Sequence, residues 1–179
     1  MSSSPTAPTA SAAQVKTARK RRRLILAWLF VLLWAGVIWQ LGTDNFSLAE
    51  TRESFWWPIV EWMIGDIDAV TRWKAHVWIR KSAHFIEYGI LALLTFRAAL
   101  LSVNKNRLAT AGWTALFIVL ALASADEARQ AFSPVRTGSP YDVLIDLSGG
   151  VIVVLGLIFI SRRMRSEGNT AAAESSVLS

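Results

Sequence analysis

The most informative part of this chain is the stretch Asp126-Glu127-Ala128-Arg129-Gln130-Ala131-Phe132-Ser133-Pro134-Val135-Arg136-Thr137-Gly138-Ser139-Pro140-Tyr141-Asp142-Val143-Leu144-Ile145-Asp146. It holds four carboxylates and two arginines between two apolar runs, 108–125 and 143–160. Each run has about 18 residues, which is near the lower limit for a helix that spans a membrane. Ionisable groups at the mouth of a membrane bundle are costly, and by default they mark a functional site. We therefore expect the function of the protein to reside in this polar stretch.

Two further apolar blocks, 24–41 and 85–101, precede this stretch in a chain that is 53% hydrophobic. The four blocks predict an all-α fold, a polytopic membrane four-helix bundle with spans near 24–42, 82–102, 108–130 and 142–162. The first block follows a basic run, but it carries three tryptophans and no A-x-A-like cleavage site follows it. We therefore predict an uncleaved span and not a signal peptide.

The segment 42–81 is too long for a simple turn and too apolar for a free loop, and it holds five of the nine tryptophans. Tryptophan favours the headgroup level of a membrane. We predict two short interfacial helices between the first two spans, separated around Gly65-Asp66.

The two ends of the chain are rich in Ser, Ala and Thr and have no apolar periodicity. Such a composition is typical of disordered tails. The predicted organisation is a disordered basic cytoplasmic tail over 1–23, a membrane domain over 24–162 and a second disordered cytoplasmic tail over 163–179.

The charge distribution predicts the orientation. With the amino terminus in the cytoplasm, the inner side has 12 basic and two acidic residues, a balance of +10, while the outer side has seven basic and 11 acidic residues, a balance of −4. An excess of Lys and Arg marks the cytoplasmic side of a membrane protein. We therefore predict that both termini are cytoplasmic and that the carboxylate-rich stretch lies at the outer face.

Composition also excludes several function classes. The chain has no cysteine, so disulfides, thiolate zinc sites and cysteine nucleophiles are excluded. The net charge of +6 comes with a basic run directly before the first span, which is a topogenic signal and not a nucleic-acid patch. A metal site of His84 with Asp126, Glu127 and Asp146 would rely on oxygen ligands without any ligand-spacing motif, so we predict no metal and no cofactor.

The second span opens with a group of ionisable residues on one helix face. Lys81, His84 and Tyr88 fall on one stripe of that helix, and Arg80, His84 and Glu87 fall on an overlapping one. Glu87 lies nearly two turns into the span and should not stand there unpaired. Its predicted partners are Arg80, Lys81 and Arg136.

The polar stretch brings further pairs to the third and fourth spans. Asp126 and Gln130 share one helix face, and Asp142 and Asp146 share another, because each pair has i, i+4 spacing. The prolines and glycine between them force a turn. Asp142 is placed to cap the fourth helix or to complement the positive end of its dipole.

Two motifs of this chain resemble those of the VanZ-like family of bacterial membrane proteins. They are Arg80-Lys81-x-x-His84-Phe85-x-Glu87-Tyr88 and Asp126-Glu127-x-x-Gln130-x-Phe132-x-Pro134-x-Arg136-x-Gly138-Ser139-x-x-Asp142-x-x-x-Asp146-x-x-Gly149. The resemblance covers roughly residues 24–160. It implies a multi-pass protein of the bacterial plasma membrane and cell envelope. The best-known member of the family is associated with low-level resistance to the glycopeptide antibiotic teicoplanin, and other members have no assigned reaction.

Carried over position by position, the family pattern falls on Lys81, His84, Phe85, Glu87, Tyr88, Asp126, Glu127, Gln130, Pro134, Arg136, Gly138, Ser139, Asp142, Asp146 and Gly149. Ser133 and Val135 flank Pro134 where members often carry valine and glycine, which should only stiffen the turn.

Three function classes remain open. In the first, the protein is not an enzyme and binds an anionic lipid-linked glycan or cell-wall precursor at an outer-face cavity, affecting glycopeptide or envelope-stress tolerance. The ligand-binding residues would be Lys81, His84, Glu87, Tyr88, Asp126, Glu127, Gln130, Arg136, Asp142 and Asp146.

In the second function class, the protein is a hydrolase or transferase for a phosphate- or glycan-bearing lipid, with Glu127 or Asp126 as general base and His84 as acid–base partner. In the third, these residues lock helix ends together in a non-catalytic scaffold of a membrane complex. The sequence predicts no oligomeric state.

Overall fold

The computed structural model describes residues 12–43, 62, 65, 68–103, 107–133 and 139–177 of the chain. These residues form four helices, which are α1 (Ala12–Leu41), α2 (Ala69–Ser102), α3 (Leu108–Ala131) and α4 (Pro140–Val177). Each helix contains a segment long and apolar enough to cross a membrane. The predicted all-α membrane bundle of four helices is therefore confirmed.

The central helix of the bundle is α2, which packs against α1, α3 and α4, while α3 also packs against α4. Two tryptophan N–H groups attach α1 to α2. Trp28 donates to the hydroxyl oxygen of Ser102 over 3.0 Å, and Trp34 donates to the carbonyl oxygen of Glu87 over 2.9 Å. Because the later residue of α1 meets the earlier residue of α2, the two helices run antiparallel.

The bundle has small residues inside and large apolar residues outside. Buried alanines such as Ala92, Ala115 and Ala123 line the helix contacts, and small residues allow helices in a membrane to approach closely. Leu32 and Phe117 point outward, with 68% and 72% of their surfaces exposed. An apolar outer surface of this kind suits contact with lipid. No water is available there to hydrogen-bond the backbone, so every backbone N–H and C=O group must find its partner within the helix.

The backbones of α2 and α4 lie close together at Gly149. A Cβ atom at this position would lie 3.3 Å from the Cα atom of Phe85 and would collide with the Phe85 carbonyl oxygen. Since the obstacle is backbone, no side-chain rearrangement could relieve the collision. Gly149 therefore fixes the distance between the two helices that carry His84 and Asp146.

The start of α2 differs from the prediction. Asp68 caps the helix by accepting hydrogen bonds from the backbone N–H groups of Val70 and Thr71, over 3.1 and 3.3 Å. Hydrogen bonding with Thr71, first through its side chain and then its backbone, lowers the pKa of the Asp68 carboxyl below its usual value. No glycine or proline interrupts the chain between Ala69 and Tyr88. The second predicted interfacial helix is therefore continuous with the second span.

With 34 residues, α2 is about 51 Å long at 1.5 Å per residue, against a hydrocarbon core of about 30 Å. Its first turns, which carry the exposed Trp73 and Trp78, therefore extend beyond the apolar layer or along its boundary. Gly65 adopts a left-handed φ of 84°, a conformation that suits the predicted break in the helix. The first predicted interfacial helix lies outside the described residues.

Two helices are longer than the predicted spans. Helix α1 begins at Ala12 and α4 continues to Val177, so both enter segments that we expected to be disordered. The residues before the first span include Lys, Arg, Gln and Ala, which are strong helix formers. In α4, Arg163 donates to Glu167 one turn later over 3.0 Å, a pairing that supports an exposed helix.

Candidate functional site

Polar side chains collect toward the end of the bundle where α1 and α3 finish and α2 and α4 begin. We call this group the polar cluster; its members are Arg80, Lys81, His84, Glu87, Tyr88, Asp126, Glu127, Arg129, Gln130, Asp142 and Asp146. Glu87 lies about one turn after His84 on α2, Glu127 lies beside Asp126 on α3, and Asp146 of α4 faces His84. The structure thus brings together nine of the ten sequence-predicted ligand-binding residues, and the tenth, Arg136, lies outside the described residues.

Asp126 is the centre of a hydrogen-bonded chain that joins α2 to α3. Its side chain is buried, with 2% of the residue exposed. One carboxylate oxygen accepts from Arg129 over 2.5 Å and the other accepts from Gln130 over 2.8 Å. The Gln130 carbonyl oxygen in turn accepts from Arg80 over 2.8 Å. Both carboxylate oxygens are occupied, so Asp126 is held as a structural member of the cluster.

The end of α1 closes the cluster over Asp126. The Arg129 guanidinium lies 4.6 Å from the ring centroid of Trp39, in cation–π geometry. A Cβ atom added to Gly42 would lie 2.9 Å from one Asp126 oxygen and closer still to Arg129. The absence of a side chain at Gly42 therefore lets the backbone after α1 lie close to the Asp126–Arg129 ion pair.

Glu127 holds the start of α4. Its carboxylate accepts a hydrogen bond from the backbone N–H of Ser139. The Ser139 hydroxyl accepts from the N–H of Tyr141 over 3.3 Å, which is the geometry of a helix N-cap. Pro140 takes the first helical position, where its missing N–H costs nothing. Glu127 is thus engaged with backbone, which leaves it a weaker general-base candidate than the sequence suggested.

Asp142 lies in the first turn of α4 and pairs with Lys81 of α2. A carboxylate in the first turn also complements the positive end of the helix dipole. Of the two roles predicted for Asp142, the structure favours the dipole interaction, because Ser139 supplies the cap. The Lys81–Asp142 pair joins α2 and α4 at the mouth of the cluster.

His84, Asp146 and Tyr88 form the part of the cluster with open hydrogen-bonding capacity. The Nδ1 atom of His84 lies 3.4 Å from Oδ1 of Asp146, a distance suited to an ion pair and longer than an ordinary hydrogen bond. The rings of His84 and Tyr88 are stacked with centroids 6.3 Å apart. Among the described residues, no hydrogen-bond partner reaches His84 Nδ1, Asp146 Oδ1 or the fully buried Tyr88 hydroxyl. Leaving such a buried group unsatisfied costs about 1–3 kcal/mol.

The bases of the cluster are not equally neutralised. Lys81 and Arg129 each pair with a carboxylate, whereas the Arg80 guanidinium bonds to the neutral amide of Gln130. Arg80 and Lys81 were two of the predicted partners of Glu87. In the structure, Arg80 bonds instead to Gln130 of α3, and Lys81 pairs instead with Asp142 of α4. Among the described residues, Arg80 has no carboxylate partner within ion-pair distance.

An apolar groove adjoins the cluster between α2 and α4. Its volume is about 820 Å³. We call it the lateral groove; its lining includes Trp73, Lys74, Trp78, Lys81, Phe85 and Ile145. Lys74 is exposed, and within the described part of the chain it forms no ion pair. The lateral groove therefore combines apolar walls with an exposed ammonium group.

Sequence reasoning missed three contributors to this site. Arg129, at i, i+3 from Asp126, carried a usable signal, because that spacing places the two side chains side by side on a helix. Trp39 and Gly42 carried no such signal, since their contacts depend on how α1 packs against α3. In the described segments, no three His, Asp or Glu side chains are arranged to hold a metal ion.

Of the comparisons with known proteins, one gives a match, and it identifies a protein family. A family model described as VanZ/LLP1 matches residues 24–161, a range that contains all four apolar segments and the whole polar cluster. The resemblance inferred from the two motifs is therefore confirmed. No curated protein and no solved structure matches the chain.

Proposed function

The chain belongs to the VanZ/LLP1 family, and from that premise we propose that it binds a phosphate-bearing lipid of the bacterial envelope. The headgroup of this lipid occupies the polar cluster, and its apolar tail lies in the lateral groove. Through this binding the protein affects tolerance to glycopeptides such as teicoplanin or to other envelope stress.

The observation that carries this proposal is the position of Lys81. Its ammonium group pairs with Asp142 in the polar cluster, and its side chain also lines the lateral groove. A ligand that reaches from one region to the other must be polar at one end and apolar at the other. A lipid with a polar headgroup has this character, and binding sites commonly combine apolar walls with a few converging polar groups.

The charges of the described residues support an anionic group in that headgroup. Within the described part of the chain, Arg80 has no carboxylate partner and Lys74 forms no ion pair. A guanidinium binds phosphate through two parallel N–H donors, whereas an ammonium acts as a point charge. The polar atoms of His84, Tyr88 and Asp146 that have no hydrogen-bond partner among the described residues would then form hydrogen bonds with neutral hydroxyl or amide groups of the headgroup.

The proposed location is the bacterial plasma membrane, with both termini in the cytoplasm and the polar cluster at the outer face. An even number of candidate spans supports termini on the same side of the membrane, and the bias of Lys and Arg supports the cytoplasm as that side. This orientation brings the cluster to the leaflet where cell-wall precursors are used.

One observation favours a second candidate function, an acid–base hydrolase or transferase acting on such a lipid. His84 faces the buried carboxylate of Asp146, and a carboxylate beside an imidazole orients its ring for proton transfer. Because Asp126 and Glu127 are engaged in structural hydrogen bonds, His84 would be the general base in this case.

Gene deletion with complementation tests the proposal. Three forms of the gene are returned at equal membrane abundance: the unchanged gene, Asp146→Asn, and the control Glu167→Gln. Glu167 is an exposed carboxylate on the same helix and lies outside the polar cluster. We expect deletion to lower teicoplanin or wall-stress tolerance, and we expect the unchanged gene and the control to restore it while Asp146→Asn does not.

Two results would contradict the proposal. Unchanged tolerance after deletion would refute the physiological part, and full rescue by Asp146→Asn would leave the cluster with only a scaffold role. Native mass spectrometry of the purified protein then identifies the copurified lipid. A lipid that stays unaltered on prolonged incubation fits a binding protein, and its conversion to a product of different mass would establish the enzyme.

A further inference from the structure

A different cavity lies between α1 and α2 at the end of the bundle opposite the polar cluster. Its volume is about 720 Å³. We call it the inner groove; its lining includes Arg23, Leu26, Phe30, Leu94, Arg97 and Leu101. The hydrogen bond from Trp28 to Ser102 holds the two helices together at the same level.

Two arginines from different helices border this groove. Arg23 precedes the apolar part of α1, and Arg97 lies five residues before the end of α2. Both are exposed, and among the described residues neither forms an ion pair, in contrast to Arg129 and Arg163. Two guanidinium groups that line the same groove can both donate hydrogen bonds to an anion between them.

The surface between the arginines is apolar. Its apolar side chains are Leu26 and Phe30 from α1 and Leu94 from α2. Leu26 and Phe30 are exposed at 41% and 58%, so this surface faces the hydrocarbon layer. A small soluble anion would leave the surface uncovered, whereas a lipid would cover it with an acyl chain.

We propose that the inner groove is a binding site for one anionic phospholipid. The headgroup phosphate lies between Arg23 and Arg97 and accepts hydrogen bonds from both guanidinium groups. One acyl chain runs along Leu26, Phe30 and Leu94. The site is independent of the proposed function, because none of its residues belongs to the polar cluster or the lateral groove.

Native mass spectrometry of the full chain tests this site. The protein is released from nanodiscs that contain equal amounts of phosphatidylglycerol and phosphatidylcholine, and the retained lipids are counted by headgroup. The double variant Arg23→Gln/Arg97→Gln removes the phosphate contacts. The double variant Arg162→Gln/Arg165→Gln is the control, since it removes two exposed arginines from the same end of the bundle outside the groove. Leu26→Trp fills the groove while leaving the charges intact.

The unchanged protein is expected to retain phosphatidylglycerol in preference to phosphatidylcholine. The preference should fall roughly fivefold for each groove arginine removed, and Leu26→Trp should lower retention of a lipid of either kind. The control should behave as the unchanged protein does. Three results would overturn the proposal: no headgroup preference in the unchanged protein, an equal loss in the control, or full retention by Leu26→Trp.

Discussion

His84 of α2 and Asp146 of α4 face each other inside the bundle, with Nδ1 3.4 Å from Oδ1. The residues that permit this approach are their close neighbours in sequence. Phe85 follows His84, Gly149 lies one turn after Asp146, and the backbones of these two residues touch. The distance between an imidazole and a buried carboxylate is thus set by a glycine.

Replacing Gly149 with alanine should separate α2 from α4. The new methyl group would meet the Phe85 backbone, which cannot move aside. Overpacking of this kind costs about 1–3 kcal/mol. Gly156→Ala on the same helix is the control, because a Cβ atom there meets nothing within 4 Å and alanine favours the helix by about 1 kcal/mol. Unfolding by titration with a denaturing detergent measures both, and equal stability of the two variants would contradict the close approach.

The ion pair of the buried Asp126 and the part-buried Arg129 should show strong energetic coupling. Removing Arg129 leaves the Asp126 carboxylate buried without its charge partner, and breaking a fully buried pair in this way costs about 3–5 kcal/mol. The double-mutant cycle of Asp126→Ala and Arg129→Ala, measured by the same titration, should therefore give a coupling energy well above 1 kcal/mol. The exposed pair Arg163 and Glu167 serves as the reference, for which about 0.3–0.5 kcal/mol is expected. Similar coupling in both cycles would show that the Asp126 chain does not organise the cluster.

Arg80→Lys should weaken lipid binding while the protein remains folded. Lysine keeps the positive charge but loses the planar pair of donors that matches a phosphate. A charge-assisted hydrogen bond contributes about 1.5–3 kcal/mol, so retention of the phosphate-bearing lipid should fall roughly tenfold or more. Arg162→Lys at the opposite end of the bundle is the matched control. Native mass spectrometry compares the two, and equal retention by both variants would exclude Arg80 as the phosphate contact.

The predicted orientation gives opposite results for two reporter fusions. Alkaline phosphatase is active only outside the cytoplasm. Its activity is therefore expected for a fusion after Ala49, between the first two spans, and not for a fusion at Ser179. Activity at Ser179 would place the polar cluster at the cytoplasmic face and would contradict the proposed access to outer-leaflet lipid.

The helices of this fold could be predicted from sequence because a membrane span needs a long apolar block, and four such blocks are plain in the chain. The faces of single helices were also predictable. His84 and Tyr88 stack as their i, i+4 spacing indicates, and Asp126 bonds to Gln130 for the same reason.

The pairing of residues between helices could not be predicted in the same way. Lys81 pairs with Asp142 and Arg80 bonds to Gln130, but each arginine or lysine had several acids or amides within plausible reach. The choice depends on how far one helix is shifted along another, which small residues such as Gly149 decide. The continuity of α2 through Trp73 and Trp78 was missed because tryptophan marks the membrane boundary equally well on a separate helix and on an extended span.

The most direct test of the proposed binding site is the stability and function of Tyr88→Phe. The Tyr88 hydroxyl is buried, and no group in the described part of the chain bonds to it. Removing it breaks no hydrogen bond to any described residue, so stability in the detergent titration should stay unchanged or rise by about 1–3 kcal/mol. If the hydroxyl serves a ligand, lipid retention and restored teicoplanin tolerance should both fall. Full function in this variant would contradict a ligand role for the Tyr88 hydroxyl, and a joint loss of stability and function would assign it to the fold.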